Sequence, residues 1–199
     1  MKLGLKNQKG FTLVELAIVL VIIGIILGAV LKGQELINNA KIKRAYNQYR
    51  EIFAAVYTYY DKFGKFPGDD NTSHPTWAGF QAGNNDGNIG GGFEYACSGA
   101  EVALQESCNL WSHLRWANII TGAGGSRTNP GNAYGGAIAV AYGTINTISA
   151  NWIAMQNIPR DAAHSIDTQY DDGVWNTGSI QGSANFTTIG APIVVYYRF

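Results

Sequence analysis

"QKGFTLVELAIVLVIIGIILG", residues 8–28, decides the fold, because it opens one uninterrupted apolar run and sets a charged residue, Glu15, inside it. From Phe11 to Leu31 the strongly polar residues are Thr12 and Glu15, and at about 1.5 Å per residue the run covers about 30 Å, the thickness of a bilayer's hydrocarbon. No proline precedes Pro67, so nothing stops a helix before "DKFGKFPGDDN", residues 61–71, where Gly64 and Pro67 end it. The expected element is one helix over residues 11–63, with 11–31 as its transmembrane part. Beyond the apolar run, Ile42, Tyr46, Tyr49, Phe53, Val56, Tyr60 and Phe63 alternate at steps of four and three and draw a stripe that packs under a globular domain. Tyr57 and Tyr59 fall off that stripe.

Before the run, "MKLGLKNQKG" carries Lys2, Lys6 and Lys9 and no acid, so the positive-inside rule keeps this end cytoplasmic and exports the rest. Lys32, Lys41, Lys43 and Arg44 on the far side weaken the rule slightly. A secretory signal peptide has a similar layout, but this apolar run is long and no Ala-x-Ala site follows it. "KGFTLVE" followed by an unbroken apolar helix resembles the class III signal of type IV pilin-like proteins, and "LVELAIVLVIIGIILGAVLKGQELI" continues the resemblance through Ile37. The resemblance implies a leader, residues 1–10, cut between Gly10 and Phe11 by a prepilin peptidase, and methylation of the new amino group on Phe11. It also implies that Glu15 neutralises the Phe11 amine of a neighbouring subunit in a filament.

The residues support that role independently. A lone carboxylate at mid-bilayer costs about 2.5 to 3.5 kcal/mol, so a purely structural use of Glu15 is a poor explanation. A charge pair in low dielectric is directional and forms only at the correct axial offset, so it sets register during assembly. Gly24 and Gly28 have the spacing of close-packed membrane helices, and the Gly24–Gly33 region is where the helix could stretch in a filament. Many relatives carry a helix-breaking proline near here, whereas this chain has Lys32.

Residues 64–199 read as a globular head, since 19 of the 25 glycines lie beyond Gly64. The 14 basic and 14 acidic side chains cancel, which excludes the field of a general nucleic-acid binder, and no specific nucleic acid is inferred. Residues 68–100, rich in Gly, Asn and Asp, are expected to be irregular. "ESCNLWSHLRWANII" places Leu110, Trp111, Leu114 and Ile119 on one side of a short helix capped by Ser107. "RDAAHSIDTQYDD" reads as a second helix stopping at Gly173, while "GAIAVAYGTIN", "NWIAMQNI" and "APIVVYYRF" read as strands. The expected fold is α+β, a long N-terminal helix laid on a small antiparallel sheet with Gly/Asn-rich loops, a pilin-like roll.

Cys97 and Cys108 are the only cysteines, and on the exported, oxidising side they are expected to form a disulfide rather than a metal site. "NNDGNIG" offers Asn84, Asp86 and Asn88 at alternate positions, the oxygen spacing with which calcium loops begin, against the simpler reading of Asx turns. Ile89 and Tyr95 stand where that pattern needs glycine and glutamate, and Asp69, Asp70, Asp167, Asp171 and Asp172 are further candidate ligands. Calcium is the one cofactor considered. His74, His113 and His164 are scattered without a partner motif, so no enzyme is expected, and the histidine near Trp111 and Trp116 reads as packing.

The reading is of a structural subunit of a type IV pilus or pilus-like filament, a homopolymer or a mixed one, assembled by machinery in the cytoplasmic membrane. It would cross that membrane once with its C-terminal domain outside, and end in an extracellular pilus or a periplasmic pseudopilus. The alternatives are a pseudopilin of a type II secretion system, or a minor tip subunit binding glycan, DNA or cargo through its Asn/Gly loops and five tryptophans.

Overall fold

A computed structural model describes residues 10–98 and 105–199; most of the expected leader falls outside them. Helix α1 spans Leu13–Phe63 and runs unbroken through Gly24, Gly28 and Gly33. It stops where expected: Gly64 takes φ 73°, which an L side chain resists, and its amide donates to the Tyr60 carbonyl at 2.7 Å to close the last turn. The chain divides into two compact units, one ending at Ala40 and one covering Lys41–Phe199.

In the first unit the apolar side chains face outward, Leu13 at 86% exposure and Leu20 at 70%. Among the described residues, α1 is the helix long and apolar enough to cross a membrane. The second unit contains the rest of α1, then α2 (Glu106–Trp116), β1 (Ile138–Ile145), β2 (Ile148–Ile158), α3 (Arg160–Tyr170), β3 (Ile180–Gly182) and β4 (Ile193–Arg198). The strands form one antiparallel sheet in the order β1-β2-β4-β3, so the α+β layout expected from the sequence is the observed one. The short strand β3 was not expected; three residues are too few to show a period.

Pairing Ile138 with Met155, Val140 with Ile153 and Ile153 with Tyr197 puts these side chains on one face of the sheet, which joins the buried residues of α1 in a single core. The opposite face is covered as well. Ala139, Ala141, Trp152 and Ala154 are buried there, and the glycine-rich loop lays Phe93 against it, its ring 5.2 Å from that of Tyr196, while the same loop runs along the edge of β1, where the Tyr142 amide donates to the Ile89 carbonyl.

The buried line on α1 differs from the expected stripe. It follows Ile42, Ala45, Ile52, Ala55, Val56 and Tyr59, while Phe53 and Tyr60 are exposed. That line includes two small side chains, Ala45 and Ala55, which a hydrophobic stripe passes over, and the large rings lie to its flanks. There Tyr49 stacks on Tyr197 with centroids 4.4 Å apart and Phe53 meets Phe199 edge-on. Helix α2 also differs: Gln105, not Ser107, precedes it, with no side-chain cap, and every residue from Glu106 to Leu114 is buried. Helix α3 ends at Tyr170, before Asp171 and Asp172.

Candidate functional site

Gly10, Phe11 and Thr12 precede the first helical residue, with Phe11 81% exposed, so the peptide bond between Gly10 and Phe11 is open to approach. Thr12 takes the N-cap position of α1 and Glu15 the third helical position. The Thr12 amide donates to Glu15 Oε2 at 2.8 Å, the Thr12 hydroxyl donates to the same oxygen at 2.9 Å, and the Glu15 amide meets Thr12 Oγ1 at 3.2 Å. This is a capping box, which satisfies backbone donors that the first turn of any helix leaves open. Glu15 is therefore folded back on its own helix start, at the positive end of the helix dipole. The sequence contained the signal, Thr-x-x-Glu directly before an apolar run, but Glu15 reads there first as an isolated charge.

Three buried acids organise the start of the head. Asp70 accepts the Tyr59 hydroxyl at 2.7 Å, the Thr72 amide at 2.7 Å and His74 Nε2 at 2.9 Å. Burial pushes its acidity down, but these donors outweigh burial and bring its pKa to about 2. Asp69 turns the other way and accepts the Asp86 and Gly87 amides at 3.1 and 2.9 Å. Burial raises its pKa, and those amides offset the rise only in part. Glu106 accepts the Asn84 and Gly90 amides at 2.9 and 2.7 Å. Behind them His113 is fully buried, accepting the Gly68 amide on Nδ1 at 2.9 Å and donating from Nε2 to the Gln81 carbonyl at 3.0 Å. Burial pushes its pKa down to about 4, so it is neutral and its proton is held on Nε2.

The loop expected to hold calcium is built around those acids. Asn84 Oδ1 accepts the Asp86 amide at 3.0 Å, Asp86 Oδ1 accepts the Asn88 amide at 2.8 Å, and Asn84 Nδ2 donates to Asp86 Oδ2 at 3.1 Å. These are successive Asx turns, with the side-chain oxygens turned onto the loop's own donors. The distant aspartate brought beside them is Asp69. The glycine content has a local cause here: a Cβ on Gly83 would lie 2.4 Å from the Asp69 Cα and the Gly68 carbonyl oxygen, so the two backbones touch. Cys97 and Cys108 are joined in a disulfide, Cα atoms 5.3 Å apart, which ties this loop to α2. Asp167, Asp171 and Asp172 come together elsewhere, at the end of α3. The roles of Asp69, Glu106 and His113 as anchors were not legible in the sequence, because nothing in their spacing says which loop they face.

Residues 5–31 match the family model described as the prokaryotic N-terminal methylation motif, the class III signal of type IV pilins and pseudopilins. No curated protein and no solved structure matches the chain.

Proposed function

We propose that this chain is a structural subunit of a type IV pilus or pilus-like filament, held in the cytoplasmic membrane by α1 and then polymerised through the same helix. The observation that carries this is the coincidence of the methylation motif with a helix whose apolar residues are exposed from Phe11 to Leu31. An unbroken apolar surface of that length needs a covering, and lipid before assembly and neighbouring α1 helices after it supply one in turn. In this reading residues 1–10 are the leader, a prepilin peptidase cuts at Gly10, Phe11 becomes the methylated N-terminus, and residues 64–199 are the outward-facing head. Glu15 leaves its own Thr12 and meets the Phe11 amine of a neighbour. That exchange keeps the carboxylate satisfied in both states and makes the correct axial offset the one that matches the charges.

Immunogold electron microscopy of cells with an antibody to the head tests the proposal. Label along surface filaments identifies a pilus subunit, label on filaments confined to the periplasm identifies a secretion pseudopilin, and label at filament tips identifies a minor subunit. Label dispersed in the membrane, with no filament, would overturn the proposal in favour of an anchored binding module.

A further inference from the structure

Helix α3 ends against its own electrostatics. Asp167, Asp171 and Asp172 gather at its C-terminal end, where the last carbonyls already carry partial negative charge, and the final turn holds no basic residue. One oxygen from each lies within 4.8 Å of the others. Asp167 is fully buried, and neither of its oxygens accepts a hydrogen bond. The Gly173 amide turns its field toward this carboxyl without completing one. Among the described residues no Lys, Arg or His forms an ion pair with any of the three. A fold pays heavily to bury a carboxylate without a donor or a counter-charge, and this one faces two more carboxylates.

We propose that Asp167, Asp171 and Asp172 bind one hard divalent cation, calcium, at the junction of α3 and β3. The donor set is all carboxylate oxygen, which excludes the softer metals that favour thiolate or imidazole. The oxygens lie within 4.8 Å of one another, close enough for one ion to touch all three, and three protein carboxylates around an irregular loop suit calcium's flexible coordination better than magnesium, which is usually held by one or two carboxylates and several waters.

The two loop acids are already aimed. Asp171 Oδ2 accepts the Ser179 and Ile180 amides at 2.6 and 2.7 Å, leaving Oδ1 open, and Asp172 accepts the Val174 amide and the Thr177 hydroxyl. Gly178 is what lets the loop wrap this closely, since a Cβ there would lie 2.0 Å from Asp171 Oδ2. With both oxygens of Asp167 buried and accepting no hydrogen bond, an arriving cation has no established partner to displace there.

Bound there, the ion ties the end of α3 to the start of β3. Tyr170, one residue before Asp171, stacks on Tyr46 of α1 with centroids 3.5 Å apart, so the site also stiffens the α3–α1 contact. That the head meets calcium outside the cytoplasm rests on the function proposed above; binding itself does not.

The test uses the full chain in detergent, stripped with a chelator and titrated with calcium by calorimetry, with melting followed in parallel. The expected result is one calcium per chain and a melting temperature that rises with calcium and not with equal magnesium. Asp171→Asn and Asp172→Asn should each weaken binding tenfold or more, by about the loss of one charged ligand. Asp167→Asn should abolish the calcium-dependent shift while melting at or above the wild-type temperature in chelator, since it removes a buried charge. Asp86→Asn, in the other loop, should leave binding unchanged. Absence of calcium heat and of any shift, or loss of binding in Asp86→Asn with retention in Asp172→Asn, would overturn the proposal. Both readouts are independent of filaments, so failure here leaves the assembly reading standing.

Discussion

At position 15 one carboxylate is part of a helix cap in the isolated chain and, in the proposed filament, half of a charge pair, and the two uses can be separated by substitution. Glu15→Gln keeps an oxygen for the Thr12 amide and removes the charge; Glu15→Ala removes both, at a cap cost of about 1 kcal/mol. Leaving a neighbour's buried amine unmatched costs roughly 3 to 5 kcal/mol per contact. Both variants should therefore be inserted and processed normally while sheared-filament yield falls sharply in each. Normal filaments from Glu15→Gln would mean that the cap, not the charge, is what assembly needs.

A second expectation at this scale concerns acid. His113 has a pKa lowered from 6.5 to about 4, so between those values the unfolded chain binds a proton that the folded chain refuses. Its contribution, roughly 3 kcal/mol by linkage, is present above pH 6.5 and lost as pH falls toward 4. Asp70, lowered from 3.8 to about 2, holds its contribution above pH 3.8 and loses it as pH falls toward 2. Asp167 acts in the opposite sense: raised from 3.8 to about 7, it weakens the fold as pH rises through that window when no cation is bound. Because Asp167 contributes equally to both proteins, the melting temperature of His113→Gln relative to wild type should rise as pH falls from 6.5 to 4. Curves that run parallel would contradict the assignment of His113 as a neutral, buried acceptor and donor.

Among the elements, α1 shows where sequence periodicity is informative and where it fails. Its length, its apolar first part and its stop at Gly64 follow from composition and from the absence of proline, which are properties of the chain alone. The buried side of its second part includes Ala45 and Ala55, which a hydrophobic stripe undervalues because each buries little area. Neighbouring tyrosines give the comparison. Tyr59→Phe removes the donor to buried Asp70 and should cost about 1 to 3 kcal/mol, whereas Tyr60→Phe, on an exposed ring, should change melting very little. Equal effects would restore the stripe read from the sequence.

The disulfide was legible from two cysteines and the expected compartment, and its effect is also an element-scale matter. Replacing Cys97 and Cys108 together with alanine should destabilise the head by about 3 kcal/mol through the freed loop, read as a lower melting temperature of the full chain in detergent. The Asn84–Asn88 loop was less legible. Alternating oxygens look alike in a calcium loop and in a run of Asx turns, and only Asp69 and Glu106, arriving from distant positions, decide where the amides point.

For the whole molecule, the chain joins a membrane-length apolar helix to a head whose core is complete in itself, from Ile42 on α1 to Tyr197 on β4. Under the proposed function the head folds outside the membrane while the apolar surface waits for neighbours, and the motif matched at residues 5–31 marks where processing would precede assembly. The proposed cleavage would also change the electrostatics: loss of residues 1–10 would remove Lys2, Lys6 and Lys9 and no acid, moving the side-chain balance from zero to −3 and placing the one new positive charge, the Phe11 amine, four residues from Glu15. The most direct measurement is intact-mass spectrometry of the protein recovered from sheared filaments. The mass should be that of a chain beginning at Phe11 with one added methyl group on its amine and the Cys97–Cys108 bond intact; a filament chain that retains Lys9, or filaments that do not contain the protein at all, would contradict it.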